Sequence, residues 1–184
     1  MDSPLLSAEI GKTRLDIIVA DITTLDVGAI VNAANRSLLG GGGVDGAIHR
    51  AAGPDLLKEC ESLGGCETGS AKITRGYRLK AGHVIHAVGP VWQGGGANEE
   101  ALLAGCYRAA LDLVAAHRLS SLAYPAISTG VYRFPADLAA RIAVGTVASE
   151  IAANARGIAH VVFCCFTAES AEHHQTAFAE LGLV

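Results

Sequence analysis

The sequence lacks a basic excess: 14 Lys and Arg stand against 18 Asp and Glu, a net charge of -4. A dedicated phosphate-backbone binder carries a basic surface, so nucleic acid is disfavoured as a partner, a local basic patch aside. No run approaches 18 apolar residues, which argues against a membrane-spanning helix. Met1 to Ile10 has no basic residue ahead of its short apolar patch and does not read as a secretory signal. Metal-ligand spacing is also lacking. Cys60 and Cys66 flank Gly64-Gly65 with no second pair. Cys164 and Cys165 are neighbours on a strand and diverge, as do His83 and His86, while His173 and His174 fall in a helix expected to be exposed. None of these resembles a zinc site, and no metal or cofactor is expected. The five cysteines are odd in number and read as free, mostly buried thiols of a reducing cytoplasm. No G-x-x-x-x-G-K-[ST] occurs, and G-x-S-x-G fails because residue 126 is Ala.

What is present is one domain's worth of chain. The 184 residues are 51% hydrophobic and 17% charged, which is globular composition. Glycine is the outlier at 22 residues, about 12% against a usual ~7%. Alternation and short apolar runs predict strands over Thr13–Val19, Ala29–Val31, Ala71–Thr74, His83–Val88, Ser121–Tyr124 and His160–Phe166. Helical spacing predicts a helix from Val44 to Gly53, and a second from Pro54 with Leu56, Leu57, Cys60 and Leu63 inward. A third follows Asn98 as N-cap and runs to about Arg118; a fourth covers Pro135 to Ala153, and a fifth follows Thr167 and ends before Gly182. Gly94-Gly95-Gly96 reads as a flexible surface loop. Strands alternating with helices imply a mostly parallel or mixed sheet covered on both faces, with ligands beyond the carboxyl ends of the strands.

Three segments there carry chemistry. In the first, Val31-Asn32-Ala33-Ala34-Asn35 leads through Gly40–Gly43 into Val44-Asp45-Gly46. A buried strand, a glycine run and a helix start can converge main-chain N–H groups on a phosphate or diphosphate. Gly41, Gly43 and Gly46 match G-x-G-x-x-G formally, but about nine residues separate them from the strand, so a nicotinamide enzyme has weak support. Asp45 either favours the helix N-terminus or acts on a hydroxyl or water. The second segment, Ser128-Thr129-Gly130-Val131-Tyr132, is a strand-to-helix turn with N–H groups and hydroxyls suited to an anion. In the third, Asp21 either accepts from an exocyclic amine or makes a turn with Thr23 or Thr24. His49 is the histidine nearest the glycine loop and reads as packing or hydrogen bonding.

Together these segments resemble the macrodomain family, and within it the MacroD-type branch that includes bacterial O-acetyl-ADP-ribose deacetylases. The resemblance rests on Asp21-Ile22-Thr23, Ile30 to Asn35, Gly40 to Ala52, His86 to Trp92 and Pro125 to Tyr132, and covers about residues 13–181 of a single domain, 1–184. It implies a three-layer α/β/α fold with a mixed six-stranded sheet and an ADP-ribose cleft. By resemblance, Asp21 accepts from the adenine amine with the Ile22 N–H nearby. Gly42, Gly43 and Val44 cradle one side of the diphosphate, and Ser128, Thr129, Gly130 and Val131 the other. Tyr132 packs near the distal ribose, and Asn35 orients that ribose. Asp45 activates or positions the attacking water, or the substrate's own phosphate does so. The sequence departs from the family at Ala20 (usually Gly), at Thr167 (often an acid) and at Arg36. The implied partners are ADP-ribose or O-acetyl-ADP-ribose and mono-ADP-ribosylated proteins. The implied activity is a metal-independent hydrolase with Asn35 and Asp45 as its catalytic pair. The alternatives are a non-catalytic ADP-ribose reader and a nucleic-acid-linked regulatory protein.

Overall fold

The computed structural model describes residues 3–184. Its strands are β1 (Leu6–Ile10), β2 (Thr13–Val19), β3 (Ala29–Ala34), β4 (Ala71–Arg75), β5 (His83–Val88), β6 (Ser121–Tyr124) and β7 (His160–Cys165). Its helices are α1 (Gly43–Ala52), α2 (Pro54–Leu63), α3 (Glu99–Ala116), α4 (Ala136–Ala153) and α5 (Ala168–Glu180). One sheet runs in the order β1-β2-β7-β6-β3-β5-β4. The five inner strands are parallel, and β1 and β4 close the edges antiparallel. The sheet therefore has seven strands, not six. The extra strand, β1, pairs only with β2, and its one fully buried residue is Ala8.

The inner strands are apolar on both faces because helices cover both. Adjacent residues feed separate cores. Ile17, Val31, Ile85, Leu122 and Phe163 pack under α3, α4 and α5 with Leu103, Val144 and Phe178. Ile18, Ile30, Val84, Ala123 and Val162 pack under α1 and α2 with Ile48, Leu56 and Cys60. On α2, Leu56 and Cys60 face inward, but Leu57 is exposed, because it lies about 100° round the helix from Leu56.

The topology opens a gap. β3 and β6 are neighbours for only two residue pairs, Ala29↔Leu122 and Ile30↔Ala123. The chain leaves β3 for α1 on one face and leaves β6 for α4 on the other. This is a switch point, and the crevice beyond it is where an open α/β sheet binds ligands. Among the described residues, no helix is long and apolar enough to cross a membrane.

Candidate functional site

The carboxyl end of β3 supplies the first wall. Asn35 makes an Asx turn: its Oδ1 accepts from the Ser37 N–H (3.1 Å), the Leu38 N–H (3.2 Å) and the Ser37 hydroxyl. Its Nδ2 donates to Gly40 O at 2.9 Å. These bonds stitch the two ends of the loop that leads to α1. Gly42 is the N-cap, and Gly43 has φ +58°, a left-handed angle that favours glycine. The N–H groups of Gly42, Gly43 and Val44 have no acceptor among the described residues, as expected for the open start of a helix. A methyl group on Gly42 or Gly43 would meet nothing within 4 Å, so this wall is open on its outer side.

Asp45 lies in the first turn of α1 and is 5% exposed. Its Oδ1 accepts from Asn32 Nδ2 at 2.9 Å and lies 3.4 Å from His49 Nε2. Its Oδ2 is turned toward Gly41. A methyl group on Gly41 would sit 3.1 Å from Asp45 Oδ2 and 3.5 Å from Asn35 Nδ2. The structure thus brings Asn35, Asp45 and the open N–H groups to one end of the crevice.

The second wall is the segment after β6. Phe134 N–H donates to Ser128 O and Arg133 N–H to Gly130 O, folding residues 128–134 into a tight turn. The N–H groups of Thr129, Gly130, Val131 and Tyr132 have no acceptor among the described residues, and Val131 is 91% exposed. Ser128 is buried at φ +67°, a costly angle for a residue with a Cβ, and its hydroxyl has no partner. It fits because residue 89 is Gly: a Cβ there would collide with Ser128 Oγ.

This wall is braced from behind. Glu99 is 1% exposed and accepts from the N–H groups of Gln93 (3.1 Å), Gly95 (2.7 Å) and Ala97. Burial pushes its carboxyl up, but the backbone N–H groups outweigh that and hold it below its ordinary value. Gly94-Gly95-Gly96 lies on the surface, as expected, and is clasped there through the Gly95 N–H. Asn98 is left-handed and makes no side-chain cap, so the helix begins without one. The clasp leads into Trp92, whose ring packs on Phe134 at 4.8 Å and whose main-chain N–H donates to Tyr132 O.

The far end of the crevice is formed after β2 and β7. Asp21 Oδ1 accepts from the Thr23 N–H and hydroxyl, capping a 3-10 turn, Ile22–Thr24. The turn reading of Asp21 holds, and the cap occupies Oδ1 alone. Beside it, Ala20 N–H donates to Cys165 O. β7 ends at Cys165, so Phe166 is not a strand residue but stands 86% exposed at this end of the crevice. Arg36 is exposed and 3.9 Å from an exposed Glu67, a pair worth little.

Sequence reasoning passed over Asn32, Glu99 and Phe166 as site residues. Phe166 had a signal, an aromatic ending a strand in a chain that is only 5% aromatic. His174 was expected on an exposed helix but is buried, with Ser170 O 2.8 Å from its Nδ1. All five cysteines are free and buried. Among the described residues, no three His, Cys, Asp or Glu are grouped to hold a metal.

Burial, with His49 nearby, holds the His86 imidazole down to about 3. It is thus neutral in the fold, but it titrates near ~6.5 when the chain unfolds. Protonation favours the unfolded chain, so this stabilisation is complete above pH ~6.5 and falls as pH drops toward 3. Stability at pH 5 should be lower than at pH 8 by about 2 kcal/mol from His86 alone. Burial pushes His174 in the same direction. Urea unfolding at the two pH values measures this, and equal stabilities would contradict it.

The comparisons agree with this geometry. A family model described as Macro domain matches residues 31–143. A Macro domain-containing protein of Mesorhizobium japonicum is 60% identical over 91% of this chain and 95% of its own length. The mouse ADP-ribose glycohydrolase MACROD2 is 55% identical over 83% of this chain, which spans 32% of that longer protein. A macrodomain of Oceanobacillus iheyensis, solved with ADP, superposes with a TM-score of 0.92 at 43% identity, covering 96% of this chain and 95% of that one. A Trypanosoma brucei macrodomain, solved in complex with ADP-ribose, gives 0.83 at 40% identity, with coverage of 88% and 68%. With the mixed sheet, the split between β3 and β6 and the glycine wall all in place, the chain belongs to the macrodomain family.

Proposed function

We propose that the protein binds ADP-ribose in the crevice and hydrolyses esters at its distal ribose. The substrates are mono-ADP-ribose on acidic protein side chains and O-acetyl-ADP-ribose. One observation carries this reading: a buried carboxylate, Asp45, turns Oδ2 toward Gly41 and the Asn35 amide, in the first turn of the helix whose N–H groups at Gly42–Val44 are open. A site that only held a diphosphate would gain nothing from a carboxylate there, because like charges in a buried place repel.

The parts divide by chemistry. The open N–H groups of Gly42–Val44 and of Thr129–Tyr132 suit the two phosphates, aided by the α1 N-terminus. At one end, Phe166 offers a face for adenine and Asp21 an acceptor for its amine. At the other, Asn35 Nδ2 keeps one N–H for a ribose hydroxyl, with Tyr132 nearby in the turn. Water adds to the ester and gives its proton to Asp45 Oδ2. That proton then passes to the departing ribose oxygen, leaving a ribose hydroxyl and a free carboxylate. The glycohydrolase activity in the name of mouse MACROD2 supports this reading, as do the ADP and ADP-ribose of the solved neighbours. Five buried free thiols suit a cytoplasmic setting.

The test is incubation with a glutamate-linked mono-ADP-ribosylated protein and, separately, with O-acetyl-ADP-ribose. Release of ADP-ribose from the first and of acetate from the second is expected. Tight ADP-ribose binding with no release from either would make the protein a reader.

A further inference from the structure

Beneath Asp45 lies a polar chain that reaches through the sheet's α1/α2 face. In the register of β3 and β5, Asn32 stands opposite His86; in that of β4 and β5, Thr74 stands opposite Val84, on the same face as His86. All three are buried, Asn32 and His86 at 0% exposure. Asn32 Nδ2 lies 2.9 Å from Asp45 Oδ1 and 3.1 Å from His86 Nδ1. His86 Nε2 lies 2.9 Å from Thr74 Oγ1, which in turn donates to Arg75 O at 3.1 Å.

The donors and acceptors allow one arrangement. An ionised Asp45 only accepts, so Asn32 must turn its NH2 toward it. The second N–H of that NH2 then points at His86 Nδ1, which must be the ring's bare nitrogen. The ring hydrogen is therefore on Nε2 and goes to Thr74, whose own hydrogen goes to Arg75 O. Flipping the Asn32 amide would set its oxygen against the Asp45 carboxylate and the imidazole lone pair together, in a place closed to solvent. Asn32 Oδ1 has no partner, so the amide is held wholly through its NH2. Cys60 Sγ, 3.7 Å from Nε2, is a second and weaker acceptor for the same hydrogen and leaves the arrangement unchanged.

We propose that His86, backed by Thr74, is a positioning residue for the hydrolysis: it fixes the Asn32 amide so that Asp45 Oδ1 is held and Oδ2 is presented to the cleft. This rests on the reading that Asp45 acts in turnover. A polar chain of this length on an otherwise apolar strand has no other ligand-facing end. The carboxylate would still be present without it, but Oδ1 would keep only His49 Nε2, 3.4 Å away, as a neighbour to hold it.

The test compares wild type, His86→Leu and His86→Asn on O-acetyl-ADP-ribose and on the glutamate-linked substrate. Leu keeps bulk without an acceptor, whereas the Asn Oδ1 falls near the former Nδ1. His86→Leu should lower kcat roughly 10- to 100-fold with KM and the ADP-ribose Kd within about threefold. His86→Asn should recover kcat to within about fivefold of wild type. Nitrogen-15 spectra of the wild-type imidazoles should show His86 with hydrogen on Nε2 alone. Hydrogen on Nδ1, or unchanged kcat in a folded His86→Leu protein, overturns the proposal while leaving the hydrolase reading intact. No turnover by wild type overturns the hydrolase reading and, with it, any catalytic meaning of the chain. Equal loss in both variants, with Kd raised to match, assigns His86 to stability and also overturns it.

Discussion

Replacing Asp45 with Ala is expected to lower kcat for ester hydrolysis by about 10²- to 10⁴-fold, the usual worth of general-base help. The ADP-ribose Kd should stay within about tenfold. The asymmetry follows from where the carboxylate sits. Asp45 Oδ1 is already held by Asn32, and Oδ2 is turned toward Gly41 and the Asn35 amide. Removing it leaves the main-chain donors in place and relieves some repulsion toward a bound anion, so affinity has little reason to fall. Isothermal titration with ADP-ribose and acetate release from O-acetyl-ADP-ribose measure the two quantities separately. Turnover equal to wild type would take Asp45 out of the mechanism and leave the substrate's phosphate as the group that activates water.

The second large effect is expected from the smallest change, Gly46→Ala. By helix propensity alone, Ala in place of Gly inside α1 should stabilise by about 1 kcal/mol. Here a Cβ would lie 2.6 Å from Gly41 O and 3.0 Å from Arg50 Nη1. Arg50 is a flexible side chain and can move; Gly41 O belongs to the glycine wall and cannot move without carrying Gly42 and Gly43 with it. The clash exceeds the propensity gain, because 2.6 Å is far inside the ordinary ~3.5 Å contact and overpacking costs typically 1–3 kcal/mol. We expect the ADP-ribose Kd to rise at least tenfold and the melting temperature not to rise. A variant that melts higher and binds as well as wild type would show that the loop yields at no cost.

The β3-to-α1 segment was legible because its punctuation is unambiguous. A strand with no polar break before Asn32, a run of four glycines and a Gly53-Pro54 stop leave few other foldings. Gly41 and Gly46 matched a dinucleotide pattern by letter, but the structure uses them for a different purpose: close approach of loop to helix. The edge strand β1 carried a signal that was passed over: Leu6, Ala8 and Ile10 alternate with Ser7 and Glu9, and the apolar three face the larger core. The Asn98 cap failed for a local reason: its backbone is left-handed, whereas a capping side chain reaches the first-turn N–H groups from an extended one. His174 was hidden because a histidine facing Phe163 and Cys165 from a polar-looking helix cannot be told from its neighbour His173 without the packing. Asn32 and His86 were unreadable together. They are 54 positions apart, and only the parallel register of β3 and β5 makes them neighbours.

The two cores on either side of the sheet have a consequence for how the molecule opens. Asp45, Asn32, His86 and the glycine wall all belong to the layer of α1 and α2, whose apolar cluster is the smaller; the larger one lies under α3, α4 and α5. A protein divided in this way has a sub-global unfolding event available, in which the thin layer detaches while the thick one keeps the sheet intact. Amide exchange should then be quicker in α1 than in α4, and a ligand bridging both walls would act as a latch between the layers. Loss of activity on mild heating would precede loss of fold, because the chemistry rides on the layer that lifts first.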